Sequence, residues 1–324
     1  MSAQFTPPPS GVLVPVPTFF NDDQSIDLET QAVHAVYLAK SGIKGVVLMG
    51  STGEGIRIHP SERRAVIEAV RKAVDAAGFE NYPVIVGTCE HTVQGTVEQL
   101  TEAKEAGAQW GQCLVPCYNA DVHNEDGIVN WFYDVADKSP LPIVVYNYPG
   151  VSNGLVVQPS TLAKLSQHPK IVGCKLSHGN VALVTQVTLN PAVDMKNFHV
   201  YTGLGSILVP LLSIGASGCV DGTAGWFPKS LVRLYDLALK STVSQLSPEE
   251  LELRKKLSYG IAAQHEIVVK FGVPGIKEAT SRVRGFGKVG SLRLLRKGGI
   301  DGGDAGWATW SPIMQAMEDI EKTL

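Results

Sequence analysis

A lysine near the end of an apolar run is the residue with the clearest chemical potential in this sequence. The run Ile171–Ser177 carries Lys175, and the turn residues up to Asn180 follow at once. A short apolar run bounded by turn residues is typical of a buried strand. Burial lowers the pKa of an ammonium group, and a neutral amine can attack a ketone to form a Schiff base. The same position also suits a lysine with a buried stem and a solvated charge.

Two tyrosines and a hydroxyl-rich turn could serve the same chemistry. Forming an imine and cleaving a β-hydroxy carbon bond both need a proton shuttle, and a phenol such as Tyr146 or Tyr118 can provide one. The turn Gly50-Ser51-Thr52-Gly53 offers backbone N–H groups and two hydroxyls to a carboxylate. Each feature has an ordinary alternative, because tyrosines at strand ends often only pack and glycine-flanked turns are common.

The elements that would position these residues are eight short apolar runs separated by helix-length segments. Near-continuous apolar strands that alternate with helices are typical of a parallel sheet buried on both faces. We therefore predict an α/β fold, a (β/α)8 TIM barrel whose active site lies at the carboxyl ends of the strands. A doubly wound sheet is the alternative, disfavoured because no G-x-G-x-x-G follows the first strand. The predicted strands are 11–16, 45–50, 83–87, 112–116, 142–147, 171–175, 198–203 and 217–222.

The chain divides into two expected parts. Residues 1–240 form the barrel with a short proline-containing leader, and residues 241–324 form a C-terminal helical extension packed on the barrel. The extension has helical patterns at 248–265, 276–283 and 307–322, separated in part by a glycine-rich stretch at 285–306 that is predicted to be a loop.

Composition excludes several classes of protein. The 324 residues carry a formal net charge of -3, so no basic field favours nucleic acid or an anionic membrane. No apolar stretch has membrane-spanning length, and residues 1–10 lack the regions of a secretory signal. The five cysteines are an odd number, which favours free thiols in a reducing compartment, and we expect a cytoplasmic protein.

A metal site is not expected from the histidine and cysteine patterns. The eight histidines show no H-x-H or H-E-x-x-H spacing, and Cys113 and Cys117 lack a second cysteine pair. The polar residues expected at the strand ends include a lysine, two tyrosines and a hydroxyl pair, which favours imine chemistry over metal-dependent cleavage. They are Ser51, Thr52, Glu54, Tyr118, Tyr146, Lys175, Asp221 and Thr223.

Several motifs together resemble the dihydrodipicolinate synthase and N-acetylneuraminate lyase superfamily of class I pyruvate aldolases. The resemblance runs from about Gly11 to Thr280, and each motif lies at the expected strand end or in the extension. The motifs are Gly50-Ser51-Thr52-Gly53-Glu54, Val115-Pro116-Cys117-Tyr118, Tyr146-Asn147-Tyr148-Pro149, Gly173-Cys174-Lys175 and Gly272-Val273-Pro274-Gly275-Ile276-Lys277.

The resemblance implies a role for each site residue. Lys175 would form the imine with the keto carbon of pyruvate or another 2-oxo acid, and Tyr146 would be the acid and base. Ser51 and Thr52, with Gly50, would hold the carboxylate, and Ser51 would also relay protons. Two residues complete the implied set: Tyr118, which extends the relay and often reaches a neighbouring subunit, and Val220, whose backbone lines the pyruvoyl pocket. The family is usually a tetramer of two tight dimers and needs no metal or organic cofactor.

Departures from the family pattern bear on the substrate. Dihydrodipicolinate synthases carry an arginine after the Tyr-Asn-Tyr-Pro motif, whereas this chain has Gly150-Val151-Ser152-Asn153-Gly154. Many members have an acidic residue after the lysine, where this chain has Leu176. The overall sequence is similar to fungal 3-deoxy-hexulosonate aldolases, which implies cleavage of a 2-keto-3-deoxy-sugar acid to pyruvate and glyceraldehyde.

Other functions stay open at this point. The segments Ser166-Gln167-His168-Pro169 and Phe271–Gly275 look like those of 4-hydroxy-2-oxoglutarate aldolases, which give pyruvate and glyoxylate. A condensation like that of dihydrodipicolinate synthase is a further alternative within the class. Outside it, the chain could be a binding barrel without catalysis, or a phosphosugar enzyme with a phosphate cup of glycines. Those glycines are Gly203, Gly205, Gly222 and Gly225.

Overall fold

A closed parallel barrel of eight strands forms the body of the molecule. The computed structural model describes residues 5–324. Its strands pair in chain order, β1 to β8, and β8 closes on β1 with Gly218 opposite Gly11. The predicted TIM barrel is therefore confirmed. The strands are β1 Gly11–Pro15, β2 Gly45–Leu48, β3 Val84–Thr88, β4 Trp110–Leu114, β5 Ile143–Asn147, β6 Ile171–Leu176, β7 His199–Thr202 and β8 Gly218–Val220.

Eight helices surround the strands: α1 to α7 each lie between one strand and the next, and α8 follows β8. Asp27 caps α1 by accepting a hydrogen bond from the Thr30 N–H, and Pro60 stands in the first turn of α2. The helices are α1 Leu28–Lys40, α2 Pro60–Ala76, α3 Val93–Glu105, α4 Glu125–Lys138, α5 Pro159–Leu165, α6 Val181–Thr188, α7 Leu208–Leu212 and α8 Pro228–Lys240.

The strand limits differ from the predicted ones by one or two residues at several ends. The largest difference is in β4, which covers 110–114 instead of 112–116. Pro116 has no N–H to donate to a neighbouring strand, so an apolar run that includes it overstates the paired length. Lys175 is followed by one more paired residue, Leu176, which bonds in register with Asn147 of β5.

Apolar side chains fill both the space outside the strands and the inside of the barrel. The larger cluster lies between the strands and the helices. The inner cluster comprises Leu13, Val47, Ile85, Tyr201 and Val220. Strand residues that point alternately inward and outward therefore have apolar partners on both sides, which explains their continuous apolar runs.

The leader closes the amino-terminal end of the barrel. Trp110 and His199 begin β4 and β7, and both bond to it: Trp110 Nε1 donates to the Thr6 carbonyl at 2.8 Å, and His199 Nδ1 lies 2.8 Å from the Pro8 carbonyl oxygen. The Tyr201 hydroxyl donates to the same Pro8 oxygen at 2.6 Å. The expectation that the first ten residues are not a signal falls partly on residues 1–4, which lie outside the described residues.

The C-terminal extension consists of four helices, α9 Pro248–Phe271, α10 Val273–Arg284, α11 Gly303–Ala308 and α12 Ser311–Glu321. It packs on the barrel: Trp226 Nε1 donates to Gln264 Oε1 at 2.7 Å, and the Glu321 carboxylate accepts from the first N–H groups of α8. Helix α9 is six residues longer than predicted. It continues to Phe271, and Gly272, with φ of 61°, ends it.

Two details of the extension differ from the predicted pattern. The glycine-rich stretch contains the start of α11, which Asp304 ties to Arg282 through an ion pair of 2.6 Å. The second helix begins at Val273 instead of Ile276, because Pro274 is tolerated in a first turn. The division of the chain at residue 240 stays a prediction. Within residues 5–324, no helix is long and apolar enough to cross a membrane.

Candidate active site

A cavity of about 680 Å³ opens at the carboxyl ends of the strands. Residues of α9 and α10, including Val268 and Ile276, form part of its wall. Six of the seven predicted site residues line it, and only Tyr118 does not. The six are Gly50, Ser51, Thr52, Tyr146, Lys175 and Val220.

Lys175 lies at the centre of this cavity wall with an amine that is almost wholly removed from water. Its side chain is 4% exposed, and burial lowers the pKa of the amine to about 7, although the charges of Asp221 and Cys219 act in the opposite direction. Its Nζ lies 4.3 Å from the centre of the Tyr146 ring, because the two residues are register partners on β5 and β6. A substantial fraction of the amine is therefore neutral near pH 7 and able to attack a carbonyl carbon.

Tyr146 supplies a proton-transfer group beside this amine. Its hydroxyl lies 2.9 Å from Ser51 Oγ. Burial raises the pKa of the phenol to about 12, and hydrogen bonds with Ser51 and Ser177 act to lower it. The group is therefore a protonated phenol in the resting site, with Ser51 as the next member of a proton relay.

The turn after β2 brings backbone N–H groups to the cavity. The Glu54 N–H donates to the Ser51 carbonyl and the Gly55 N–H to the Gly50 carbonyl, which folds the turn. The backbone N–H groups of Ser51 and Thr52 form no hydrogen bond among the described residues. Unpaired N–H groups beside a serine and a threonine hydroxyl are a suitable site for a substrate carboxylate.

A second lysine with a lowered pKa is held in a different way. Burial lowers the pKa of Lys277 to about 8, but its Nζ lies 2.5 Å from Glu54 Oε1 and donates to the Ser291 carbonyl at 2.7 Å. A lysine in contact with a carboxylate keeps its proton at neutral pH. Lys277 is therefore a structural cation, whereas Lys175 has no carboxylate within ion-pair distance among the described residues.

The partner of that cation is Glu54, which the sequence placed among the candidate strand-end residues. Its second oxygen accepts the N–H groups of Arg293 and Leu294, both in the extension. Each carboxylate oxygen thus bonds to the extension. Glu54 lines the cavity, but its side-chain hydrogen bonds all go to the extension, which they hold against the turn after β2.

Three residues were given no role by the sequence analysis. Ser177 lines the cavity and acts to lower the pKa of the Tyr146 phenol, and a Cβ at Gly203 would clash with its Oγ. Its position two residues after Lys175 was the available signal. Asp221 is fully buried and lies close enough to act on the Lys175 charge. His265 enters the cavity wall from α9, and no local pattern marks it.

Comparison with known proteins places these features in a family. Residues 8–280 match the dihydrodipicolinate synthetase family. This chain belongs to the dihydrodipicolinate synthetase family. The L-threo-3-deoxy-hexylosonate aldolase of Hypocrea jecorina is 36% identical, over 98% of both chains, and that of Aspergillus niger is 32% identical, over 99% of this chain and 98% of the relative.

Two further comparisons concern another relative and a solved structure of the same fold. A protein named probable mitochondrial 4-hydroxy-2-oxoglutarate aldolase in Emericella nidulans is 32% identical, over 86% of both chains. The solved structure of YagE, an Escherichia coli K12 protein of the dihydrodipicolinic acid synthase family in complex with pyruvate, has a TM-score of 0.82 at 23% identity and covers 95% of this chain and 98% of its own. At that identity the likeness shows the fold alone.

The distal part of the cavity differs from the pattern of the dihydrodipicolinate synthases described above. In those synthases an arginine is expected after the Tyr-Asn-Tyr-Pro motif. In this chain Gly150 and Val151 follow the motif and line the cavity. Among the described residues that line the cavity, Lys175 is the only lysine or arginine. A second carboxylate on the substrate would therefore meet no fixed cation from this chain.

The glycines considered as a phosphate cup have a different role here. Gly203 and Gly222 line the cavity, but the Gly205 N–H donates to the Asp221 carboxylate. The same carboxylate accepts the N–H and the hydroxyl of Thr223. A buried carboxylate among these glycines would repel a phosphate, so the phosphosugar interpretation has no support from this geometry.

Tyr118 lies outside the cavity of its own chain. It is 74% exposed, and its N–H donates to His91 Nε2 at 3.1 Å. Its predicted role in the proton relay, which the family resemblance assigns across a subunit contact, stays a prediction.

Cys117 and Cys89 both line the cavity, and all five cysteines are free. No group of three or more possible metal ligands occurs within residues 5–324.

Proposed function

We propose that this protein is a class I aldolase that cleaves a 2-keto-3-deoxy-sugar acid, such as L-threo-3-deoxy-hexulosonate, to pyruvate and glyceraldehyde. The observation that carries the proposal is the buried Lys175 amine, with a pKa lowered to about 7, against the face of Tyr146. Two relatives that match almost the whole chain are named as aldolases of this substrate.

The first half of the reaction is imine formation. The neutral Lys175 amine adds to the keto carbon while the Ser51 and Thr52 turn holds the carboxylate. Tyr146 donates its proton to the hydroxyl of the resulting carbinolamine, which leaves as water. The products of this step are a protonated imine on Lys175 and a phenolate on Tyr146.

The second half is cleavage of the bond between C3 and C4. The Tyr146 phenolate takes the proton of the C4 hydroxyl, the aldehyde forms, and the bonding electrons pass to the protonated imine to give an enamine. Protonation of the enamine at C3 and hydrolysis then release pyruvate and restore the amine. The phenol has thus acted first as acid and then as base, which its contact with Ser51 supports.

The lack of a distal cation favours a neutral aldehyde product over glyoxylate. Cleavage of 4-hydroxy-2-oxoglutarate is the second candidate, because a relative of similar identity is named for it. Its terminal carboxylate would lie among uncharged residues such as Gly150 and Val151. Comparing kcat/KM for the two substrates with purified protein distinguishes them.

A tetramer of two dimers is part of the proposal. Exposed apolar side chains at Tyr118 and Val122, 74% and 73% accessible, support burial of this region against another subunit. Sedimentation velocity of the wild type and of Tyr118→Ala tests the assembly.

The free cysteines favour the cytoplasm, which cell fractionation would test.

The experiment that tests the chemistry is borohydride reduction in the presence of pyruvate, followed by peptide mass analysis. A pyruvate-sized adduct on Lys175 is the expected result. Folded protein without an adduct would refute the imine mechanism and leave the barrel as a binding module. The same reduction without pyruvate is the control for nonspecific modification.

A further inference from the structure

The C-terminal extension places a histidine in the wall of the cavity. His265 lies on α9, and its side chain is 12% exposed. Beside it in the cavity wall are Val268 and Val269, which have no polar side-chain atoms. The imine chemistry described above uses no group from the extension, so His265 has no assigned part in it.

One side of the His265 ring faces a fixed carboxylate. Its Nδ1 lies 3.9 Å from Asp221 Oδ2, too far for a hydrogen bond, and this nitrogen is fully buried without a partner. Asp221 is held in place by the Gly205 N–H and by Thr223. Of the two neutral tautomers, a negative charge on this side favours the one with its proton on Nδ1. That tautomer leaves Nε2 as a hydrogen-bond acceptor.

The other ring nitrogen is available to a ligand. His265 Nε2 forms no hydrogen bond with the described residues and is not among the buried atoms that lack a partner. The accessible part of the side chain therefore includes this edge of the ring. His91, the other histidine in the cavity wall, differs because its Nε2 already accepts the Tyr118 N–H.

We propose that His265, oriented by Asp221, accepts a hydrogen bond from a hydroxyl group on the aldehyde half of the substrate. The inference rests on the proposed function and extends it to the choice of aldehyde. Lys175 and the Ser51 turn hold the keto-acid half, so the hydroxylated half extends away from them. An acceptor beside the apolar Val268 and Val269 makes His265 a specificity-determining residue, because an aldehyde without hydroxyls leaves it unpaired.

The test compares two aldehydes in the direction of synthesis from pyruvate. Glyceraldehyde carries two hydroxyls, and propanal is the same carbon skeleton without them. The replacement His265→Phe keeps a ring but removes the acceptor. We expect kcat/KM for glyceraldehyde to fall about 3- to 10-fold, the worth of one neutral hydrogen bond, whereas kcat/KM for propanal is not lowered. His265→Gln retains an acceptor and is expected to restore part of the preference.

A matched control is a second histidine beside an aspartate, away from the cavity. His168 is 11% exposed, lies 3.1 Å from Asp137, and is absent from the cavity wall. His168→Phe should leave the ratio of the two kcat/KM values as in the wild type. An unchanged ratio in His265→Phe, or an equal loss with both aldehydes, would overturn the inference.

Reduction with borohydride and pyruvate separates this result from a failure of the proposed function. His265→Phe should still form the adduct on Lys175, which also shows that the variant is folded. No adduct in the wild type would overturn the aldolase proposal and this inference with it. An adduct together with an unchanged aldehyde preference would overturn the inference alone.

Discussion

Lys175 and Lys277 show how one residue type takes two roles in the same cavity region. Both amines are buried, and burial lowers the pKa of both. Lys277 contacts the Glu54 carboxylate and holds its charge, whereas Lys175 faces a phenol ring. Nucleophilic character at this site therefore follows from desolvation without a contacting anion.

Replacing Lys175 with alanine should abolish turnover. No other amine lines the cavity among the described residues, so no imine can form and no adduct should appear on reduction. Lys170→Ala is the matched control, since Lys170 lies just before β6 at the opposite end and bonds to the Asp137 and Ser139 carbonyls. Substantial residual activity in Lys175→Ala would contradict the mechanism.

The pH dependence of imine formation should report the lowered pKa of Lys175. Only the neutral amine attacks, so the fraction that reacts rises with pH, reaches half at the pKa of about 7 and levels off above it. Below that value, trapping with pyruvate should slow roughly tenfold for each pH unit. The Tyr146 phenol, with a pKa raised to about 12, should add no second limb below pH 10. A midpoint near 10.5, the ordinary lysine value, would refute this account.

Tyr146→Phe removes the proton carrier while leaving the amine in place. We expect cleavage to slow by about 10²- to 10⁴-fold, the usual contribution of a general acid and base. The adduct should still form, though more slowly. Tyr133→Phe serves as control, because the Tyr133 hydroxyl bonds to the Lys164 carbonyl outside the cavity. A normal rate in Tyr146→Phe would assign proton transfer to another group.

Among the elements, the turn after β2 and helix α10 are joined by the buried pair of Glu54 and Lys277. The Glu54 side chain is fully buried and the Lys277 side chain is 4% exposed. Glu54 Oε1 lies 2.5 Å from Lys277 Nζ. The pair connects positions 223 residues apart in the chain. It holds the cavity wall formed by the turn against the wall formed by the extension.

Breaking this pair should destabilise the protein strongly. Lys277→Met leaves the Glu54 carboxylate buried with only N–H partners, and a loss of about 3–5 kcal/mol in the free energy of unfolding is expected in urea. Combining it with Glu54→Gln should recover part of the loss, since no unpaired charge then remains. Lys255→Met, which breaks an exposed pair with Glu252, should have no measurable effect. Strictly additive effects of the two buried replacements would show that the residues are not coupled.

Strand order and most of the site could be predicted because they follow from periodicity. Buried parallel strands have continuous apolar runs, and the ends of such strands meet at one edge, which brings Ser51, Tyr146 and Lys175 together. The contacts of the extension could not be predicted in the same way. His265 reaches the cavity, and Lys277 reaches Glu54, through helix docking, which periodicity in the sequence does not reveal. The role of Tyr118 depends on a second subunit, so one chain does not decide it.

At the scale of the whole molecule, different segments pack on the two ends of the barrel: the C-terminal extension on the catalytic end and the leader on the amino-terminal end. The leader bonds to Trp110 and His199, the first residues of β4 and β7, whereas Lys175 lies at the carboxyl end of β6. Loss of the leader should therefore lower the stability of the protein without changing the reaction at Lys175. Within the described residues, the Tyr201 hydroxyl has its oxygen partners at Pro8 and Pro9.

Deleting residues 1–9 should lower the melting temperature without changing the imine chemistry. The buried Tyr201 hydroxyl loses its two carbonyl acceptors and keeps only His199 Nδ1 at 3.1 Å, a loss of about 1–3 kcal/mol that corresponds to a few degrees in Tm. The rate of pyruvate trapping per folded molecule should match that of the full chain. A deletion of residues 1–4 keeps the Thr6 and Pro8 contacts and is the control. An unchanged Tm in the longer deletion would show that the leader contributes nothing to stability.

The bonds from Glu54 to Lys277, Arg293 and Leu294 limit how this protein can be recombined with its relatives. A chimera with a crossover after α8 would exchange the partners of Glu54 and the side chain at position 265 in a single step. These bonds couple the barrel and the extension in this chain. A productive crossover has to transfer the turn after β2 together with the C-terminal helices, although the two are far apart in the gene.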